Sequence, residues 1–249
     1  MRLTLLGAIA CALAPGSLLA AEIRVICANA LSIPEKDFAA DFTGETGHTV
    51  AFTFGSPGTI DQKLVAGETY DLIITTRAAF DPLERAGKLI KDTRRPLVRV
   101  GIGIAARENA KVDVSTPDAL RKTLLAARSI TYSDSSTGGL SGINAQKVLE
   151  NLGIADAVKD KSILKSGGQD LIASGEAEIG LFNASEIPRA KGVVLAGKVP
   201  AAVQAYINYE AAVTAASTAP EPALAFLRYI ARPAARARWE KTGLEFVTD

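Results

Sequence analysis

Histidine and cysteine are scarce in the sequence, which limits the metal and redox chemistry that the chain can support. It has one histidine, His48, and two cysteines among 249 residues. A structural zinc site takes about four ligands, mostly His and Cys, and a Ser-His-acid arrangement would have to use His48 itself. His48 lies in the segment ETGHTV, between a helical pattern and a strand pattern, and we expect it at the surface. No metal, no other cofactor and no catalytic residue are predicted.

The chain also lacks a strong excess of positive or negative charge, because 28 lysine and arginine residues offset 27 aspartate and glutamate residues. No basic tract is longer than the pair Arg94 and Arg95. Nucleic acids and anionic membrane surfaces are bound through extended basic patches, so we expect neither as a partner. Aromatic residues make up only 6% of the chain, which argues against an adhesin, since such a surface would need an exposed aromatic patch.

The N-terminus has the pattern of a secretory signal peptide. A positive charge at Arg2 precedes the apolar run of residues 3–13, and small residues follow up to Ala21. We therefore predict a signal peptide over residues 1–21, a mature chain that starts near Ala21 or Glu22, and a periplasmic location. Beyond this segment, no stretch approaches the roughly 20 apolar residues of a membrane span.

The two cysteines lie in different contexts. Cys11 falls inside the signal peptide, and using it for a lipid anchor would leave an apolar region of only a few residues before it. After cleavage Cys27 is the remaining cysteine, so no internal disulfide can form. Cys27 lies in the apolar run IRVICANAL, where we expect a small buried side chain rather than a reactive thiol.

Short β-branched segments alternate with helical patterns in the first part of the chain. The strand candidates are IRVICA (23–28), HTVAFTF (48–54) and DLIITT (71–76), and helical segments separate them. This alternation predicts an α/β fold with a mostly parallel sheet flanked by helices, and ligands bind at the carboxyl ends of such strands.

A second β-α series follows a long apolar strand, LVRVGIGIAAR (97–107), whose glycines suggest a close backbone approach. We expect the segment VQAYINYEAAV (203–213) to return to the first lobe. We predict two lobes, with residues 22–103 and 208–249 forming lobe I and residues 104–207 forming lobe II.

The strand candidates end in loops rich in glycine and in small polar residues. Such loops expose the N–H groups at helix starts to an anion, although Ser, Thr, Asn and Gly are also ordinary caps and turn residues. The predicted ligand-binding residues are Asn29, Ala30, Ser56, Gly58, Thr59, Thr76, Arg77, Ser135, Ser136, Thr137, Gly139, Ser141, Gly168 and Asn183.

Several motifs together resemble the type 2 periplasmic solute-binding proteins of ABC importers, in particular their molybdate-binding-like branch. They are IRVICANAL, FTFGSPGTIDQKLVAGETYDLIITT, LSGINAQKVLENLGI, LIASGEAEIGLFNASEI and LAFLRYIARPAARARWEKTGLEF. The resemblance implies a two-lobed fold that captures a small anion between its lobes. It also implies delivery of that anion to an ABC permease in the inner membrane, and we expect the protein to be a monomer.

The ligand positions depart from the molybdate-binding pattern. Ala30 and Pro57 stand where that pattern has serines, Leu140-Ser141-Gly142 replaces Pro-Ala-Gly, and Asn183 replaces a tyrosine. The ligand therefore stays open among oxyanions, organic carboxylates and phosphates. Arg77 is the cationic candidate for gripping it, and Lys165 is a weaker one.

An enzyme on the same scaffold is the alternative function, because some relatives resemble a periplasmic aconitate isomerase. Such an enzyme needs a base positioned at the substrate carbon. Asp134 and Glu186 are the nearest carboxylates, and neither has a partner visible in the sequence that would tune its pKa. We therefore expect a binding protein.

Overall fold

The structure is a computed structural model that describes residues 20–137 and 139–247. The predicted signal peptide, including Cys11, therefore lies outside the described residues apart from its last two positions. Within the described ranges, no helix is both long enough and apolar enough to cross a membrane.

Strands and helices alternate along most of the chain. The strands are β1 (Glu22–Ala28), β2 (Thr49–Gly55), β3 (Leu72–Thr76), β4 (Arg95–Ala106), β5 (Ile130–Tyr132), β6 (Ser162–Leu164), β7 (Ile179–Asn183), β8 (Val194–Lys198), β9 (Tyr206–Val213) and β10 (Glu245–Phe246). The α-helices are α1 (Ser32–Thr46), α2 (Pro57–Val65), α3 (Arg77–Arg85), α4 (Pro117–Ala126), α5 (Leu140–Asn151), α6 (Ala155–Val158), α7 (Gln169–Ser174), α8 (Pro220–Ala231) and α9 (Arg236–Glu240).

The strands form one sheet in the order β2-β1-β3-β9-β4-β7-β5-β6, and β8 and β10 also pair with β4. Strand β1 runs parallel to β2 and β3, and β5 runs parallel to β6 and β7. The central strands β4 and β9 are antiparallel to their neighbours. The parallel pairs at each end bring strand termini and helix starts together, which is the arrangement that positions a ligand site.

Strand β4 joins two large hydrophobic cores and also contributes Ala105 to a third, smaller one. Its residues up to Gly101 pair with β9, and its residues from Ile102 onward pair with β7 and β8. Leu97, Val98 and Val100 lie in a first core with side chains of β1, β3, β9 and the C-terminal helices α8 and α9. Ile102 lies in a second core with side chains of β5, β7, α4 and α5.

Gly101 marks the point where β4 passes from one core to the other. The side-chain amide of Gln204 binds both backbone groups of Ile102, accepting from its N–H at 2.8 Å and donating to its carbonyl at 3.0 Å. A Cβ at Gly101 would lie 2.6 Å from Gln204 Cδ. The predicted close approach at a glycine of this strand is thus confirmed at Gly101.

The two residues that could have carried thiol or imidazole chemistry are both buried. Cys27 has no exposed surface, as expected. The expectation that His48 lies at the surface is wrong, because it is only 8% exposed. Its Nδ1 accepts a hydrogen bond from the Ala21 N–H at 3.1 Å, and its ring stacks on Phe42. His48 therefore holds the start of β1 in place.

Candidate ligand-binding site

A cleft of about 540 Å³ opens where strand ends meet helix starts. Strands β1, β2, β3 and β7 end at Ala28, Gly55, Thr76 and Asn183, and all four residues line the cleft. This is the carboxyl edge of the parallel strands, where α/β folds bind ligands. Helices α2 and α5 begin at the same edge.

Most of the predicted ligand-binding residues line this cleft. They are Asn29, Ala30, Ser56, Gly58, Thr76, Gly139, Ser141 and Asn183. Arg77 lies beside it, on a smaller cleft of about 390 Å³ that shares Thr76, Leu140 and Ile207 with the larger one.

The Thr137 side chain lies outside what the structure describes, and other predicted residues are not among the described residues that line either cleft. They are Thr59, Ser135, Ser136 and Gly168. Residues Ser135–Thr137 form a 3-10 turn in which the Ser136 N–H donates to Asp134 Oδ1 at 2.9 Å. Gly168 packs closely on β5, since a Cβ there would lie 2.8 Å from Thr131 Oγ1. The structure therefore gives these residues internal contacts, and their role towards a ligand stays a prediction.

Ser56 makes the contacts of an ordinary N-cap at the start of α2. Its hydroxyl accepts from the Thr59 N–H at 3.1 Å and lies 2.9 Å from the Thr59 hydroxyl. Pro57 occupies the first position of the helix, where a missing N–H costs nothing. Ser56 and Thr59 thus shape this wall of the cleft, and the neighbouring Gly58 keeps it open.

Helices α3 and α5 begin without a side-chain cap. The Thr76 side chain accepts no capping hydrogen bond from α3, and Gly139 before α5 has no side chain that could accept one. The first-turn N–H groups of an α-helix have no partner within the helix, and they carry a partial positive charge. Both helix starts therefore offer donors to an anion in the cleft.

The start of α5 is pressed against the second half of the sheet. A Cβ at Gly142 would lie 2.3 Å from the Ser133 carbonyl oxygen, so only glycine fits. The Ser141 hydroxyl accepts from the Asn183 N–H at 3.3 Å. This packing explains why Leu140-Ser141-Gly142 has a glycine at its last position and a hydroxyl before it. It also places the start of α5 directly beside the end of β7.

Asn183 and Glu186 form a polar pair on the cleft wall. Asn183 Nδ2 donates to Glu186 Oε1 at 2.8 Å, while Asn183 Oδ1 is buried and has no hydrogen-bond partner among the described residues. Burial raises the pKa of Glu186, although the Asn183 hydrogen bond and the charge of Arg189 act in the opposite direction. In contrast, hydrogen bonds from Ser136 lower the pKa of Asp134. The expectation that neither carboxylate has a tuning partner is therefore wrong for both.

Tyr209 on β9 supplies a phenol that the sequence analysis did not single out. It lines the cleft and is only 4% exposed. Burial and the negative charge of Glu186 both raise the pKa of Tyr209, so its hydroxyl keeps its proton and can donate.

Arg77 points towards an acidic partner rather than into the larger cleft. Its Nε lies 3.3 Å from Glu210 Oε1, and its side chain is 70% exposed. The buried Glu210 also binds Arg94 Nε at 2.6 Å. Lys165, the weaker cationic candidate, pairs with Asp170 at 2.7 Å. Arginine and lysine are thus absent from the described residues that line the larger cleft.

Residues 23–245 match the family described as bacterial extracellular solute-binding protein. The chain belongs to this family. It is 31% identical to the aconitate isomerase of a Pseudomonas species over 194 residues, which cover 76% of this chain and 72% of that protein. It is 24% identical to the molybdate-binding protein ModA of Azotobacter vinelandii over 172 residues, which cover 68% of this chain and 67% of that protein.

The fold of this solute-binding protein also agrees with solved structures. A substrate-binding domain assigned to a molybdenum ABC transporter of Clostridium difficile superposes with a TM-score of 0.83 at 19% identity. The superposition covers 92% of this chain and all of that one. The predicted type 2 periplasmic binding protein fold and the likeness to molybdate-binding proteins are confirmed.

Tyr209 is a cleft residue of this solute-binding protein that strand-end reasoning missed, and Glu186 was named only as a nearby carboxylate, not as a ligand-binding residue. That reasoning considers the carboxyl ends of parallel strands, but β9 is antiparallel, so its first residues reach the cleft instead. Glu186 follows β7 by only a few residues, and its burial depends on packing that the sequence does not display. The polar segment NASEIPR, which contains Glu186, was the signal in the sequence that could have indicated this residue.

Proposed function

We propose that the protein is a periplasmic receptor that captures a small organic anion and delivers it to an ABC permease in the inner membrane. The uncapped starts of α3 and α5, which face a cleft of about 540 Å³, carry this proposal. Helix starts stabilise an anionic group without a cationic side chain. A cleft of that volume exceeds the needs of a single tetrahedral oxyanion, which favours a carboxylate with several carbon atoms.

Two lobes that close on the ligand belong to the same proposal. The first core takes in both chain ends and the second core takes in the middle of the chain, which supports lobe I at 22–103 and 208–249 and lobe II at 104–207. The long strands β4 and β9 cross between them and are suitable hinge elements. Export through the N-terminal signal peptide and a monomeric state complete the proposal.

A ligand panel tests the proposed function. The purified mature protein is heated with molybdate, sulfate, phosphate, succinate and tricarballylate in turn, and its unfolding temperature is measured. A ligand at about 100 times its Kd stabilises the folded state by about 2.7 kcal/mol, and we expect that effect with a carboxylate. A response to molybdate alone would overturn the organic-anion assignment, and no response to any anion would overturn the receptor.

An isomerase is the second candidate, and Glu186 is the observation that favours it. A carboxylate whose pKa is raised by burial is a better base at neutral pH than an exposed one. The 31% identical relative is named as an aconitate isomerase. The receptor remains preferred because Asn183 donates to the same carboxylate, which reduces its basicity.

Turnover separates the two candidates. The protein is incubated with cis-aconitate or trans-aconitate, and the isomer ratio is followed by NMR. We expect binding without interconversion. Multiple turnovers in the wild type that disappear in Glu186→Gln would make the isomerase the better assignment.

A further inference from the structure

The walls of the cleft offer opposite kinds of hydrogen-bonding group. The starts of α3 and α5 present backbone N–H donors without side-chain caps. Beside the start of α5, Asn183 and Glu186 present acceptor oxygens. A fully deprotonated oxyanion can use the donors but has nothing to give to the acceptors.

Asn183 Oδ1 is the acceptor that lacks a partner. Asn183 Nδ2 donates a hydrogen bond to Glu186 Oε1 at 2.8 Å, so Oδ1 is the side-chain atom that remains to accept one. Asn183 is only 4% exposed, and its Oδ1 has no hydrogen-bond partner among the described residues. Buried polar atoms are almost always hydrogen-bonded, so this oxygen marks a position for a donor that the chain itself does not supply.

We infer that the ligand is a hydroxy acid, whose carboxylate lies at the starts of α3 and α5 and whose hydroxyl donates to Asn183 Oδ1 next to Glu186. This inference rests on the proposed anion-binding function and narrows its ligand class. It also assigns a role to the acceptor oxygens of the cleft. A site that hydrogen-bonds a ligand hydroxyl binds the analogue without that hydroxyl more weakly.

A hydroxyl fits the acceptor wall better than an ammonium group does. The groups that act on Glu186 are the Asn183 amide, the Arg189 guanidinium and the Tyr209 phenol. The charge of Arg189 lowers the pKa of Glu186, so this guanidinium already partly offsets the negative charge that an ammonium group would need. Burial disfavours the charged form of Glu186, which weakens it further as a partner for a cation. A neutral donor avoids both penalties.

Three ligands of nearly the same shape test this inference by isothermal titration calorimetry. Succinate, malate and aspartate differ only in carrying hydrogen, hydroxyl or ammonium at one carbon. We expect malate to bind about tenfold more tightly than succinate, the upper end of what one neutral hydrogen bond contributes, and aspartate to bind no better than succinate. Citrate and tricarballylate form a second pair of larger size that again differs by one hydroxyl.

Two variants test whether the ligand hydroxyl binds at Asn183. In Asn183→Ala we expect malate affinity to fall about tenfold, to the level of succinate, while succinate affinity stays within about twofold. Ser185→Ala is the matched control, because Ser185 Oγ is also buried and has no hydrogen-bond partner in the part of the chain that the structure describes, but Ser185 does not line the cleft. This control should keep the preference for malate.

The outcomes distinguish the inference from the proposed function. Equal binding of both members of each pair, or a preference that survives in Asn183→Ala, would overturn the hydroxy acid and leave the anion receptor intact. A preference for aspartate would also overturn it. If none of these carboxylates binds, the organic-anion receptor and the hydroxy acid fail together.

Discussion

A buried carboxylate, Asp71, and a half-buried one, Glu186, differ in the hydrogen bonds that they receive. Asp71, just before β3, is 2% exposed, and its carboxylate accepts five hydrogen bonds at 2.7 to 3.4 Å, from the N–H groups of Arg24, Thr218 and Ala219 and from the hydroxyls of Ser217 and Thr218. Burial alone would raise the pKa of Asp71, but these hydrogen bonds together lower it. Asp71 thus connects β1 and β3 to the segment before α8.

The Glu186 carboxylate receives fewer hydrogen bonds from the described residues than the Asp71 carboxylate does. Among residues 20–137 and 139–247, one side-chain donor, Asn183 Nδ2, reaches its carboxylate, and burial raises its pKa. A buried charge stabilises a fold only when it is fully hydrogen-bonded or paired. The difference indicates that Asp71 serves the folded state, and it supports the proposal that Glu186 serves the ligand site.

The largest effect is expected at Asp71. Asp71→Ala leaves the backbone N–H groups of Arg24 and Thr218 and the Ser217 hydroxyl without this acceptor, at a cost of about 1 kcal/mol or more each. We expect the free energy of unfolding, measured by urea denaturation, to fall by about 3 kcal/mol or more. Asp61→Ala on the exposed side of α2 is the control and should stay within about 0.5 kcal/mol. Equal losses in both variants would contradict a structural role for Asp71.

A smaller effect of opposite sign is expected at Glu186. Because its folded-state pKa lies above the unfolded value, its charge lowers stability as pH rises from the unfolded pKa through the folded one. Glu186→Gln removes that loss, so the variant should gain on the order of 1 kcal/mol at neutral pH and nothing at acidic pH. Asp71 has the reverse dependence, since its lowered pKa contributes stability that is lost as pH falls.

Urea denaturation of the wild type and of Glu186→Gln from about pH 4 to about pH 8 checks this sign. The gain should appear only as pH increases. If the variant instead loses stability at neutral pH, the Glu186 carboxylate is well satisfied in the free protein, and the contrast with Asp71 disappears.

The strands could be predicted from the sequence because their signals are local. The apolar segments 23–28, 48–54 and 71–76 became β1, β2 and β3 with shifts of a residue at their ends. The loops after them were correctly expected to meet, since parallel strands share an edge. Antiparallel pairing of β9 and the burial of Glu186 depend on long-range packing, so Tyr209 and the Asn183–Glu186 pair could not be derived from local patterns.

The smallest effect is expected at Arg77. If it gripped the anion, as the sequence suggested, Arg77→Ala would reduce affinity by about 1.5–3 kcal/mol. In the structure its guanidinium lies beside Glu210, which Arg94 also holds at 2.6 Å, and the Arg77 side chain is largely exposed. Exposed ion pairs contribute little, so we expect malate affinity and unfolding free energy each to change by less than about 1 kcal/mol. Calorimetry with malate measures the first and urea denaturation the second, with Arg85→Ala on the same helix as the control. A loss of more than tenfold in affinity at unchanged stability would mean that Arg77 turns towards the ligand on closure, and that the donor wall of the cleft includes a cation.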